Sequence, residues 1–119
     1  DLMPPTNQRG FYPVFSATAG TVEHMGWLQK GGWRIGIRSE QGGYFYYAHL
    51  SEYAPGMEEG KTVEAGEMLG YMGDSGYGEE GTVGQFAVHL HFGIYIQTAD
   101  GREVSVDPYW ILKGLEGEP

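Results

Sequence analysis

The stretch Val88-His89-Leu90-His91-Phe92-Gly93-Ile94-Tyr95-Ile96 alternates without a break between apolar residues and polar or small ones. Strand side chains point to opposite faces with a period of two, so this run specifies an extended strand and no helix. One face carries Val88, Leu90, Phe92, Ile94 and Ile96; the other carries His89, His91, Gly93 and Tyr95. Packing the first set in a core forces both imidazoles onto the opposite face. A slip of one residue would bury two histidines and expose five hydrophobes. The two imidazoles then sit on Cα atoms about 6–7 Å apart. One can bind a metal while the other handles a proton on bound water, with Gly93 leaving room beside His91. The same pattern also describes two histidines on the solvent face of a half-buried strand.

The rest of the chain reads the same way. Segments rich in aromatic and β-branched residues predict strands near 20–24, 33–38, 43–50, 68–71 and 88–97. Between them lie the turns Gly31-Gly32, Gln41-Gly42-Gly43, Pro55-Gly56 and Asp100-Gly101. Asp107 as N-cap and Pro108 at the first helical position predict one short helix, 107–112. The expected class is therefore all-β: an antiparallel sandwich or half-open barrel with a groove, Gly-rich loops and one short C-terminal helix. Two long Gly-rich connections, 51–66 and 73–85, are the places where function or mobility is expected.

A chain of 119 residues suits one domain. With no cysteine, neither a disulfide nor a thiolate metal site is available. A net charge of −9 argues against nucleic acid or an anionic membrane as partner, because like charges repel. No apolar run approaches the ~20 residues that a transmembrane segment needs.

Two further histidines invite assignment. His49, in Tyr46-Tyr47-Ala48-His49-Leu50-Ser51, falls at the end of an aromatic-rich strand, where alternation puts it on one face with Phe45 and Tyr47. Read alone, it caps an aromatic cluster. His24, in Val22-Glu23-His24-Met25, has no supporting context and reads as structural or exposed.

Taken in order, several segments resemble the lysostaphin/LytM-type zinc metalloendopeptidases, which cut peptide bonds in bacterial peptidoglycan. They are Asp1-Leu2-Met3-Pro4, Gly20-Thr21-Val22, Tyr47-Ala48-His49-Leu50-Ser51, 60–70, Gly73-Asp74-Ser75-Gly76, His89-Leu90-His91-Phe92 and Val106-Asp107-Pro108. The resemblance implies an antiparallel fold with zinc at the floor of a groove. It implies Asp1 and His91 as metal ligands, His89 as the residue that activates water, and His49 as its partner in polarising water or stabilising the transition state. Such a role fits either a neutral imidazole that takes the proton or a protonated one that steadies an oxyanion.

The family's remaining ligand histidine would lie four positions before Asp1. The expectation is thus one peptidase domain, 1–119, that starts inside the metal motif and belongs to a longer chain with other domains. An extracellular or cell-envelope location follows from the implied substrate. This chain departs from the family in having Val88 where a proline is frequent and Gly93 where a glutamate is frequent. It also has a longer loop, 75–87, whose Tyr77, Glu79, Glu80 and Phe86 are expected to form one rim of the groove.

Two other functions stay open at this level. One is a catalytically silent relative that binds wall peptides or activates another wall hydrolase. The other is a carrier or phosphotransfer module, since 60–70 also resembles carrier hairpins. That reading lacks a lysine in the turn Gly73-Asp74-Ser75-Gly76.

Overall fold

A computed structural model describes residues 1–106. Its elements are β1 (Pro13–Phe15), β2 (Gly20–Leu28), β3 (Gly32–Arg38), β4 (Tyr44–Tyr53), β5 (Thr62–Val63), β6 (Met68–Met72), β7 (His91–Gln97) and β8 (Glu103–Val106). All pairings are antiparallel. The strands form one curled half-barrel sheet in the order β1-β6-β4-β3-β2-β5, with β7 on β4 and β8 on β7. The expected all-β class is thus found. The helix expected at 107–112 lies outside the described residues. Among the described residues no helix is long and apolar enough to cross a membrane.

β4 is the organising strand because its two halves have different partners on one edge. Tyr44 to Ala48 pair with β7, whereas Leu50 to Tyr53 pair with β6. The sheet forks at residue 49. At this point the β3–β4 register also shifts, between the pairs Ile35↔Tyr47 and Trp33↔Leu50. A register shift of this kind places extra residues on one strand and bends it.

Across β3, β4 and β7, the rows Ile35–Tyr47–Phe92 and Ile37–Phe45–Ile94 lie on one face. Ile35, Ile37, Tyr47, Phe92 and Ile94 are buried there together with Val14, Val22, Leu50, Val63, Leu69 and Leu90. Burying side chains of this size contributes about 1.5–3 kcal/mol each. Tyr47 brings a hydroxyl into this core, and the backbone N–H of Ala17 donates to it at 2.9 Å. The opposite face carries the rows Arg38–Tyr44–Tyr95 and Gly36–Tyr46–Gly93, then Ala48–His91. At Gly36 the hydroxyl end of the Tyr44 ring lies where a Cβ would stand.

Several boundaries differ from expectation. β2 and β4 run on to Leu28 and Tyr53, and β1, β5 and β8 have no counterpart among the expected strands. The ladder of the histidine strand begins at His91, while His89 and Leu90 are held by isolated bridges to Gly73 and Leu2. Of the apolar face, Val88, Leu90, Phe92 and Ile94 are buried, but Ile96 is 45% exposed near the sheet's end.

Candidate active site

The N-terminal segment is laced onto the histidine strand and brings Asp1 beside it. Leu2 and Leu90 exchange both backbone hydrogen bonds, at 2.7 and 2.8 Å, which sets Asp1 next to His91. The N–H of Val88 donates to Asn7 Oδ1 at 2.7 Å. Arg9 donates twice to the buried carboxylate of Asp74, at 2.6 and 3.1 Å. The first two ties join the segment to a strand more than 80 residues away in sequence, and the third joins it to the turn at Asp74, 65 residues away.

Asp1 Oδ1 then lies 2.8 Å from His91 Nδ1, and Oδ2 lies 3.7 Å from His89 Nε2. His89 Nδ1 lies 2.9 Å from the carbonyl of Ala87. A carbonyl only accepts, so Nδ1 carries a proton and Nε2 is the nitrogen that faces Asp1. His91 remains about half exposed, while the His89 side chain is only 14% exposed.

His49 reaches the same place by a backbone irregularity. Its φ is +64°, the left-handed region that side chains other than glycine seldom enter. This kink at the fork of β4 breaks the alternation. His49 therefore does not share the face of Phe45 and Tyr47 as expected, but turns to the histidine face. Its ring centroid lies 4.8 Å from that of His89 and 6.0 Å from that of His91. Phe86 packs edge-on at 4.6 Å and Tyr77 stacks at 6.0 Å, so these two of the four expected rim residues flank the cleft, whereas Glu79 and Glu80 are exposed and do not line it. His49 Nδ1 donates to the carbonyl of Ser75 at 2.8 Å, leaving the lone pair on Nε2.

Burial holds the His49 pKa below the ordinary imidazole value. The Ser75 carbonyl opposes this, and repulsion from His89 and His91 adds to it. Burial likewise lowers the pKa of His91. A histidine with a depressed folded-state pKa binds fewer protons folded than unfolded. Stability from His49 is therefore complete above its unfolded value, near 6.5, and is lost as pH falls below it. In chelator-treated protein the unfolding temperature should drop between pH 7.5 and 5.5, and drop less in His49→Gln. Equal drops in the two proteins would show that another group carries the effect.

Together these residues line a cleft of about 600 Å³ with Asp1, His49, His89 and His91 on its floor and Tyr77, Gln85 and Phe86 beside them. All four residues expected from the sequence converge here. His24 does not: it is exposed on β2, 3.1 Å from the Tyr44 hydroxyl. A carboxylate oxygen and an imidazole nitrogen are the donor types of a hydrolytic zinc site, which ordinarily has three protein ligands. Asp1 and His91 fit in kind and supply two. Among the described residues no group of three or more His, Cys, Asp or Glu is arranged to hold a metal. What the sequence did not disclose is the supporting layer, namely Asn7, Arg9–Asp74, Ser75 and the carbonyl of Ala87. Their only outward signal was the motif Gly73-Asp74-Ser75-Gly76, which is silent about what it touches.

The model of peptidase family M23 matches residues 1–108. The chain is 49% identical over 105 residues to the L-Ala–D-Glu endopeptidase of Bacillus subtilis, covering 87% of this chain and 32% of that one. It is 34% identical over 103 residues to lysostaphin of Staphylococcus simulans, covering 85% of this chain and 19% of that one. It thus spans a third or less of these relatives' length. A crystal structure from Ruminococcus gnavus, described as a candidate glycyl-glycine endopeptidase LytM, superposes with a TM-score of 0.90 at 57% identity, covering 97% of this chain and 45% of the other. The catalytic domain of lysostaphin from Staphylococcus simulans superposes at 0.67 with 29% identity, covering 89% and 74%. The chain belongs to peptidase family M23.

Proposed function

We propose that this domain is a zinc-dependent endopeptidase that hydrolyses peptide bonds of bacterial peptidoglycan. The observation that carries the reading is the convergence of Asp1, His91, His89 and His49 on one cleft. Asp1 and His91 would hold the metal, as two of its ligands. Bound zinc would lower the pKa of a water molecule and polarise the scissile carbonyl.

The chain's own residues account for the proton. His89 directs its Nε2 lone pair into the cleft because Nδ1–H is engaged by Ala87. It takes the proton of the attacking water and returns it to the leaving amine. His49 is held the same way by Ser75, with its neutral form favoured by burial. This supports a role in orienting and polarising the water over that of a protonated oxyanion stabiliser. Tyr77 and Phe86 crowd one side of the cleft, which favours small residues near the cut. The reading places the domain within a longer protein acting outside the cell or in its envelope. The relatives named for endopeptidase activity support the substrate class.

The test is zinc content of the native-length protein beside its His91→Ala variant, followed by assays on wall peptides. The expected result is about one tightly held zinc per chain, lost in the variant together with hydrolysis. No zinc in either protein would overturn the reading and favour a silent binder of wall peptides.

A further inference from the structure

Ser75 lies outside the set of reacting groups, yet both its hydroxyl and its carbonyl are committed to the fork that holds His49. Its side chain is completely buried. The backbone N–H of Trp33 donates to Ser75 Oγ at 3.1 Å, and the same hydroxyl donates to the carbonyl of Leu50 at 2.7 Å. Trp33 and Leu50 are the pair at which the β3–β4 register resumes after its shift. The hydroxyl thus closes the sheet immediately after the kinked residue. The carbonyl of the same serine accepts from His49 Nδ1–H at 2.8 Å. One residue therefore grips the backbone after His49 and the ring of His49.

The surroundings are shaped around this grip. At Gly32, whose φ is +66°, a Cβ would collide with the Ser75 backbone and hydroxyl. At Gly76, whose φ is +127°, it would strike the carbonyl of Lys30 and stand 3.1 Å from His49 Nδ1. Two glycines thus clear the approach of the serine to the histidine. From the other side, the His49 backbone N–H is taken by the carbonyl of Gly31 at 2.7 Å. A backbone held in a sparsely populated conformation persists where its surroundings over-determine it, and such strain gathers at functional sites.

We propose that Ser75 is the positioning residue for His49: it holds the strained fork closed and fixes the imidazole with its proton on Nδ1 and its lone pair on Nε2, facing the cleft. A carbonyl acceptor selects one tautomer because it can bind only the protonated nitrogen. Removing the hydroxyl leaves the Trp33 N–H and the Leu50 carbonyl unpaired in a dry interior. The carbonyl of Ser75 then loses its fixed place, and the ring is free to rotate or change tautomer. The inference rests on the hydrolase reading only for its catalytic consequence.

The experiment is ¹⁵N-detected imidazole spectroscopy at pH 7.5 on the full chain and on Ser75→Ala, with the His49 signals assigned by their loss in His49→Gln. The wild type should show His49 protonated on Nδ1, and Ser75→Ala should show averaging between tautomers. On peptide substrate the variant should lose about 10- to 100-fold in kcat, the usual range for a partner that orients a site residue, with KM changed less than about two-fold. A wild-type ring protonated on Nε2 would overturn the proposal, as would a folded Ser75→Ala with an unchanged tautomer and unchanged kcat. Should that variant not fold, the wild-type spectrum decides alone. The spectrum reads the ring whether or not the chain cuts peptides, so failure here is distinct from failure of the hydrolase reading.

Discussion

Replacing His89 by alanine is expected to slow peptide hydrolysis by about 10²- to 10⁴-fold, the usual contribution of a positioned proton carrier, while zinc content stays unchanged. The two effects separate because His89 and His91 occupy different positions relative to Asp1. His91 Nδ1 is in direct contact with the carboxylate at 2.8 Å, whereas His89 Nε2 stands off at 3.7 Å with its own Nδ1 tied to Ala87. With Asp1 and His91 as the proposed ligands, His89 can be removed without taking a donor from the metal. The check is a rate on a wall peptide together with metal analysis of the same preparation. A rate within ten-fold of wild type would remove His89 from the proton path. Loss of zinc would make it a ligand instead.

The largest stability effect should come from a residue with no side chain. Gly32→Ala puts an L-residue at φ +66° and drives its Cβ into the backbone and hydroxyl of Ser75. The left-handed conformation costs about 1–2 kcal/mol, and forced overpacking about 1–3 kcal/mol more. For a domain of this size such a loss lowers the unfolding temperature on the order of 10 °C or more. Gly42→Ala is the control: its φ is +93°, but nothing lies within 4 Å of the added carbon. It should show the conformational part alone. Calorimetry on both variants decides the matter, and equal losses would mean that the clash at Ser75 is relieved at little cost.

The histidine strand could be read from the chain because its alternation leaves one face no choice but the core, and Val88, Leu90, Phe92 and Ile94 are buried as that argument demands. Ile96 escapes because alternation describes a face without saying where the sheet ends. The central strands are visible through their aromatic and β-branched residues between glycine turns, whereas β1, β5 and β8 are three, two and four residues long. Pieces so short have no period to detect, and they exist only because a longer neighbour offers an open edge. His49 illustrates a different limit. Alternation puts it on the face of Phe45 and Tyr47, and a single φ of +64° reverses that placement. That kink depends on the change of partner along β4 and on Ser75, which stands 26 residues away, so no local pattern could announce it. The supporting ties of Asn7 to Val88 and of Arg9 to Asp74 are equally non-local, at 81 and 65 residues of separation.

Those separations bear on how the molecule comes into being. The contact between Asp1 and His91 closes a loop of 90 residues, among the most entropically expensive contacts this chain can make. It is gained only when the sheet that carries His91 already exists to receive the leading segment. During refolding, tryptophan fluorescence at Trp27 and Trp33 on β2 and β3 should therefore recover before any capacity to capture metal. Until that contact closes the proposed centre lacks Asp1, so the activity proposed for it would be withheld until folding is complete.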